Sequence, residues 1–171
     1  MKKLLVLILV LGLCSTANAM LTAIEIDVDG SHAGSSVSVA VSSTISLEIY
    51  SGNTDTGYAY LALEDNGLYT LSNGQVTSNA GDKGSWTGPF SSTYVPGYNL
   101  VELGVSKTAS GTITPGTMFL IDFNAGSTTG TVDVILYDES LVTMDTTTII
   151  IPEPMTIALL GLGGLFLRRR R

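Results

Sequence analysis

The stretch that decides the fold is residues 117–138, TMFLIDFNAGSTTGTVDVILYD. Phe119, Ile121 and Phe123 fall on one side of its first half, and a similar apolar alternation runs through residues 132–136 in its second half. A period of two is typical of a strand that buries one face. Glycine and small polar residues between the halves indicate a connection. This stretch therefore predicts two strands.

The same alternation recurs upstream, in residues 21–28, 36–41, 45–50, 58–63 and 100–105. Residues 68–71 and 75–78 flank an Asn-Gly pair and predict a small hairpin. Residues 79–97 predict a long irregular loop, and residues 141–151 predict a final strand or an extended spacer. Eight or nine short strands with turns between them predict an all-β fold, a single antiparallel β-sandwich of the jelly-roll type.

Charge is distributed unevenly along the chain. Residues 20–151 hold every carboxylate of the chain except Glu153, but only two basic residues, Lys83 and Lys107, so the formal charge of this segment is 2 − 14 = −12. Such a surface repels nucleic acid and anionic lipid headgroups, and we expect no nucleic-acid partner. The single cysteine, Cys14, lies outside the segment, so a packed core must stabilise it without disulfides.

The N-terminus has the order of parts found in secretory signal peptides. Lys2 and Lys3 precede the apolar residues 4–13, and Ala17 and Ala19 are the small residues of a cleavage site. We expect cleavage after Ala19. An uncleaved anchor is disfavoured because the apolar run is too short to span a bilayer.

The C-terminus carries a second apolar run between prolines and arginines. The run is residues 155–167, and it is bounded by Pro152, Glu153 and Pro154 on one side and by Arg168, Arg169, Arg170 and Arg171 on the other. Because proline disfavours a helix interior, a helix can begin only at about residue 155. Its length would be roughly 20 Å, against about 30 Å of hydrocarbon. We expect a transient membrane helix with its arginines on the cytoplasmic side, and a short permanent tail-anchor is the alternative.

This arrangement resembles the PEP-CTERM sorting signal of exported bacterial proteins. The resemblance covers residues 151–171, with Pro152, Glu153 and Pro154 as the box and the four arginines as the retention cluster. It implies recognition and cleavage by an exosortase-type membrane enzyme after export by the secretion machinery. The expected organisation is a signal peptide over residues 1–19, a β-sandwich domain over residues 20–149 and a sorting segment over residues 150–171.

A second resemblance concerns the β-domain. The turn Thr114, Pro115 and Gly116, followed by the strands 117–124 and 131–138, is similar to the closing strands of cohesin-like jelly-roll domains. This resemblance implies a protein-binding or carbohydrate-associated module. It transfers no catalytic residues.

One acidic stretch has the spacing of metal ligands. Glu25, Asp27, Asp29 and Gly30 match the opening of a calcium-binding loop, but Ser36 occupies the position where such a loop needs a bidentate glutamate. We therefore predict no EF-hand, no metal site and no cofactor. A looser structural calcium site of aspartates and backbone carbonyls at a sandwich edge stays open.

Residues with catalytic chemistry are few. His32 is the only histidine and lies in a Ser- and Gly-rich turn, and no nucleophile-elbow pattern surrounds any serine. Asp133, Asp138 and Glu139 are interpreted as a solvated face. We predict no catalytic residues and a protein that is not an enzyme.

Aromatic side chains are the remaining indication of binding. Tyr58 and Tyr60 share one strand face, and Trp86, Phe90 and Tyr94 lie in the long loop. Aromatic rings stack on sugars or anchor a protein partner, although they also cap the ends of sandwich cores.

The expected function combines these observations. The leading hypothesis is a non-enzymatic protein that is exported, held briefly in the membrane, processed through its C-terminal signal and delivered to the cell surface or extracellular matrix. The alternative is a cohesin-like module that binds extracellular polysaccharide or a dockerin-like protein. A secreted hydrolase is the second alternative.

Overall fold

A computed structural model of the chain describes residue 21, residues 24–91 and residues 95–153. These residues form strands and one 3-10 turn: β1 Ile24–Val28, β2 Ser31–His32, β3 Ser36–Ser38, β4 Thr44–Ser51, β5 Gly57–Glu64, β6 Tyr69–Val76, the 3-10 turn Ser78–Ala80, β7 Ser85–Ser91, β8 Tyr98–Val105, β9 Gly116–Ala125, β10 Gly130–Asp138 and β11 Thr143–Ile151. The helices expected at the two termini lie outside the described residues. Among the residues that the structure describes, no helix is long and apolar enough to cross a membrane.

The strands form two sheets that pack face to face, which confirms the predicted all-β sandwich. Sheet A has the order β2-β1-β4-β9-β6, and sheet B has the order β3-β11-β10-β5-β8-β7. The pairs are antiparallel, except that β3 runs parallel to β11.

The two strands of the deciding stretch form as predicted but belong to different sheets. β9 lies between β4 and β6 in sheet A, whereas β10 lies between β11 and β5 in sheet B. The connection over residues 126–129 therefore crosses from one sheet to the other. The face predicted from Phe119, Ile121 and Phe123 is buried, since none of the three exposes more than 3% of its surface.

The core is one apolar layer between the sheets. It includes Phe123 of β9, Leu47 of β4, Leu61 of β5 and Val134 of β10, none of which exposes more than 1% of its surface. Burial of one such side chain contributes about 1.5–3 kcal/mol to folding. The interior is therefore the main source of stability.

Tyr69 joins the two sheets. Its ring stacks on Phe123 of sheet A, with the ring centroids 5.0 Å apart. Its hydroxyl donates a hydrogen bond to the carbonyl oxygen of Leu63 in sheet B, at 3.3 Å. Burial is the main cause that raises the pKa of this phenol, so it stays a neutral donor.

The predicted hairpin over residues 68–78 is wrong. This segment is the single strand β6, and its register against β9 shifts between Ser72 and Gln75. Asn73 takes a φ of 52°, a region that asparagine tolerates better than most residues, and its side-chain amide donates to Asp122. The Asn-Gly pair therefore forms a bulge that keeps the strand on its partner, rather than a turn.

The predicted irregular loop over residues 79–97 is also wrong in part, because it contains β7. This strand pairs with β8, and its register shifts between Thr87 and Phe90. The sequence SWTGPFS lacks a regular alternation, and its Gly-Pro pair interrupts the ladder. Proline is tolerated here because β7 is the edge strand of sheet B.

The ends of the domain also differ from the simplest expectation. Within the predicted strand 36–41 only Ser36–Ser38 pairs as a strand, with β11. Residues 141–151 supply the strand β11, not a spacer. β11 continues to Ile151, which pairs with Gly130 and is buried.

Trp86 closes one open side of the sandwich. It lies in β7, the edge of sheet B, and its indole covers Gly74 of β6, the edge of sheet A. A Cβ atom added at Gly74 would lie only 2.0 Å from Cζ2 of that indole. The close approach of the two edges therefore requires glycine at this position.

We expect Gly74→Ala to lower the free energy of unfolding by about 1–3 kcal/mol, because the new methyl group displaces the indole. In a Trp86→Ala background the same substitution should cost much less. Urea unfolding of the two single variants and the double variant measures this coupling. Equal costs of Gly74→Ala in both backgrounds would contradict the contact.

Asp82 ties the segment before β7 to the segment after β8. Thr108 donates its backbone N–H to Oδ1 at 2.7 Å and its hydroxyl to Oδ2. The side-chain bond, then the backbone bond, holds the pKa of Asp82 below its ordinary value of 3.8. Because folding favours the ionised form of Asp82, this side chain stabilises the folded state only while it is ionised.

We expect this contribution to be fully present above the ordinary pKa of Asp82 and to be lost as the pH falls through its lower folded-state pKa. The melting temperature of Asp82→Asn should therefore lie below that of the parent at neutral pH, and the difference should shrink in strong acid. Thermal melts between pH 7 and pH 2 measure it, with Asp65→Asn in an exposed turn as the control. A pH-independent difference would refute the assignment.

Candidate functional site

The outer face of sheet B carries the aromatic side chains. Ala59, Leu61 and Leu63 of β5 point into the core, so strand alternation places Tyr58 and Tyr60 on the opposite side. Tyr58 exposes half of its surface.

Cross-strand neighbours extend this outer face over several strands. Tyr60 lies opposite Tyr137 of β10 and Glu102 of β8, and Leu100 of β8 lies opposite Phe90 of β7. Side chains at such positions are about 4.5–5.5 Å apart at Cβ and form a continuous surface. The result is an apolar and aromatic area with carboxylates beside it.

A hollow lies on this face and is called the Tyr60 hollow here. Its volume is about 440 Å³, and it is lined by Tyr60, Phe90, Leu100, Glu102, Glu139 and Leu141. Phe90 and Leu141 each expose 42% of their surface at it. Large apolar side chains this exposed, around a concave surface, are typical of binding sites.

The turn between β10 and β11 holds Leu141 at the hollow. Oδ1 of the buried Asp138 accepts hydrogen bonds from the backbone N–H groups of Ser140 and Val142, each at 2.8 Å. Leu141 between them has a φ of 60°, which costs a side chain of this size about 1–3 kcal/mol. The fold thus keeps an apolar residue exposed in a strained turn, an arrangement that is frequent at functional sites.

A second hollow lies at the end of the same face. It has a volume of about 360 Å³ and includes Tyr58, Lys83, Ser85 and Gly104 among its lining residues. Lys83 is one of the two basic residues of the β-domain. Tyr58 lines this second hollow and Tyr60 lines the Tyr60 hollow. Both side chains lie on the same face of β5, so the two hollows adjoin on one surface.

The face as a whole is acidic. Glu64, Glu102 and Asp133 occupy outward positions of β5, β8 and β10, and Tyr98 lies among them opposite Glu64. Burial, and then the charges of Asp133 and Glu64, raises the pKa of the Tyr98 hydroxyl. The Tyr98 hydroxyl is therefore a neutral group beside carboxylates.

The structure separates the aromatic residues named from the sequence. Tyr58, Tyr60 and Phe90 lie on this outer face, whereas Trp86 packs against the core and Tyr94 lies outside the described residues.

Two further lining residues, Leu141 and Glu139, were missed as members of a site. The sequence feature that could have indicated Leu141 is the apolar pair Leu141 and Val142, which lies in a turn between two strands where polar residues are usual. Asp138, which was expected on a solvated face, is instead buried and supports the turn.

The acidic stretch at the end of β1 does not form a calcium loop. Oδ1 of Asp29 accepts a hydrogen bond from the backbone N–H of Ser46, at 2.9 Å. Gly30 supplies the left-handed turn, with a φ of 79°, that leads directly into β2. His32, which was expected in a surface turn, pairs with Asp27 in this short ladder.

The residues of the two terminal signals are described only in part. Pro152 and Glu153 are exposed immediately after β11. Ala17, Ala19, Pro154 and the four terminal arginines lie outside the described residues.

Comparison with known proteins returns cohesin modules among solved structures. The sixth cohesin of scaffoldin B from Acetivibrio cellulolyticus, solved with a Cel5 dockerin, is 12% identical, with a TM-score of 0.48 over 77% of this chain and 100% of that chain. A type I cohesin of Clostridium thermocellum, solved with a dockerin, is 13% identical, with a TM-score of 0.48 over the same shares. A non-cellulosomal cohesin from Archaeoglobus fulgidus is 14% identical, with a TM-score of 0.44 over 77% of this chain and 93% of that chain.

No protein-family model matches the sequence, and no curated protein matches it. These solved structures are of the class that the resemblance of residues 114–138 names. Likeness at these identities and TM-scores carries no information on what this chain binds.

Proposed function

We propose that this chain is a non-enzymatic binding module of the cell exterior, which holds a protein partner on the outer face of sheet B. The single observation that supports the proposal is the Tyr60 hollow. It combines exposed Phe90 and Leu141 with a strained turn that fixes one of them in place. Aromatic and apolar anchors in a concave surface are the features that dominate protein–protein binding energy.

The charge of the face indicates the chemistry of the partner. Glu102 and Glu139 line the Tyr60 hollow together with its apolar residues. A partner that inserts an apolar side chain and presents lysine or arginine to these carboxylates would match both features. Polysaccharide is the competing ligand, because the exposed ring of Tyr58 is also suited to stacking on sugars.

We expect a photo-crosslinking residue introduced at Phe90 to trap a protein partner when the chain is produced in its native host. The same residue introduced at Val76 is the matched control, since Val76 is a similarly exposed apolar residue on sheet A. Mass spectrometry identifies the adduct. The absence of any protein adduct specific to Phe90 would contradict the proposal.

Binding measurements separate the two classes of ligand. The partner trapped by crosslinking should bind the parent chain, and Leu141→Ser should weaken this binding about tenfold or more. Isolated dockerin modules are tested for binding in the same way. Val76→Ser should leave binding unchanged. Binding of the chain to soluble polysaccharides and to no protein, weakened in the same way by Leu141→Ser, would favour the carbohydrate-binding alternative.

We further propose that the chain is exported through its N-terminal signal peptide and is then sorted and processed through the C-terminal signal. The position of the box supports this proposal: β11 ends at the buried Ile151, and Pro152 and Glu153 follow at once as exposed residues. A processing enzyme of the exosortase type could therefore contact the box without unfolding the sheet. Arg168 to Arg171 would stay on the cytoplasmic side and so hold the adjoining apolar segment in the membrane until cleavage.

We expect the double substitution Pro152→Ala and Glu153→Ala to leave the chain membrane-associated and unprocessed in a host that encodes an exosortase. Thr114→Ala with Pro115→Ala, in an exposed turn before β9, is the matched control. Fractionation followed by mass spectrometry of the C-terminus measures the outcome. Release of an identically trimmed product from both variants would exclude sorting through the box.

A further inference from the structure

Three side chains with metal-binding chemistry meet at the edge of sheet A. Glu25 and Asp27 are two residues apart in β1, so both point to the outer face of the sheet. The tight turn after β1 brings back β2, in which His32 lies directly opposite Asp27.

The ligand atoms of these residues converge. Nδ1 of His32 lies 3.6 Å from Oε2 of Glu25 and 3.9 Å from Oδ1 of Asp27. One ligand atom from each residue lies within 4.8 Å of the other two. Around a tetrahedral zinc ion with bonds of about 2.0–2.1 Å, ligand atoms are about 3.3 Å apart. Small side-chain rotations would therefore close the set around one ion.

Asp27 provides an independent indication of a cation-binding site. The residue exposes only 9% of its surface, and its Oδ1 is buried without a hydrogen-bond partner among the described residues. A buried carboxylate oxygen without a partner is costly unless a cation or a proton compensates it. Burial, followed by the charge of Glu25, raises the pKa of this group.

The neighbouring acids are occupied elsewhere. Glu48, opposite Asp27 on β4, accepts a hydrogen bond from the Thr117 hydroxyl at 3.0 Å. Asp145 accepts one from the backbone N–H of Ile26 and another from Thr146, each at 2.8 Å. Both carboxylates add negative charge around Asp27 without supplying a positive partner.

We propose that Glu25, Asp27 and His32 form a binding site for a divalent cation of the zinc type. One imidazole and two carboxylates suit zinc and related transition metals, and they leave a coordination position for water. Calcium prefers six to eight oxygen ligands and is a poor match for a set of three that includes a nitrogen. The bound ion would tie the short edge strand β2 to β1 and compensate the charge of Asp27.

The test is calorimetric titration of the full chain, purified without a histidine tag, with ZnCl₂. We expect saturable one-to-one binding, no comparable binding of CaCl₂ or MgCl₂, and a rise in melting temperature with zinc. His32→Gln and Asp27→Asn should each weaken zinc binding about 10–100-fold or more. Removing a residue that only supports a metal ligand costs about that much, and these substitutions remove a ligand itself. Asp122→Asn is the matched control, because Asp122 lies on β9 of the same sheet but away from the cluster.

A spectroscopic measurement keeps the proposal testable even where a variant fails to fold. The chain has a single histidine, so its imidazole resonances report on His32 alone. Zinc should shift these resonances in the parent chain, and Glu25→Gln should reduce the shift at a given zinc concentration. Unshifted imidazole resonances, equal affinity in the parent and the ligand variants, or calcium binding as tight as zinc binding would each overturn the assignment.

Discussion

The apolar layer between the two sheets is the contact on which the rest of the structure depends. No cysteine lies within residues 20–151, so no disulfide can offset the conformational entropy that folding removes. The inward side chains of β4 and β9 must therefore meet those of β5 and β10 across the whole layer. Tyr69 adds a directional link between the sheets, through its hydrogen bond to Leu63. At the two open sides, Trp86 covers Gly74 and Asp145 holds the backbone of β1.

Because the inward faces are committed to this layer, function can reside only on the outward faces and at the edges. The outer face of sheet B is aromatic and apolar with carboxylates beside it, and one of its apolar residues is held in a strained turn. The edge of sheet A carries a histidine between two carboxylates. The same alternation that buries Ile24 and Ile26 places Glu25 and Asp27 outward, so a single rule of strand geometry produces both the core and the candidate metal ligands.

Sequence periodicity was sufficient for the fold class and for the buried face of the long strands. It predicted the inward face of β9 and the shared face of Tyr58 and Tyr60. It failed where pairing does not follow alternation: β7 is interrupted by a Gly-Pro pair, and the Asn-Gly pair of β6 forms a bulge instead of a hairpin. Both pairs indicate a local break in regular geometry, but neighbouring strands decide whether the chain turns or continues there.

The candidate sites were less accessible to sequence reasoning than the core. Phe90 could be named as a possible binding aromatic, but its position beside Leu100 and Leu141 depends on contacts between residues far apart in the chain. The acidic spacing around Asp27 matched only the opening of a calcium loop and no metal site was predicted, because the pairing of β2 that brings His32 against Asp27 was not visible in the local pattern. Tertiary pairing, not local pattern, determines which side chains share a surface.

The position of β11 has a mechanical consequence. This strand lies inside sheet B, with β10 on one side and the parallel strand β3 on the other, and the chain leaves it directly at Ile151. A pull on the segment beyond Ile151 that runs along the strand loads the hydrogen bonds on both sides in shear, so they must yield together. An edge strand peeled from its end would lose them one at a time. β11 therefore resists such a pull better than an edge strand would.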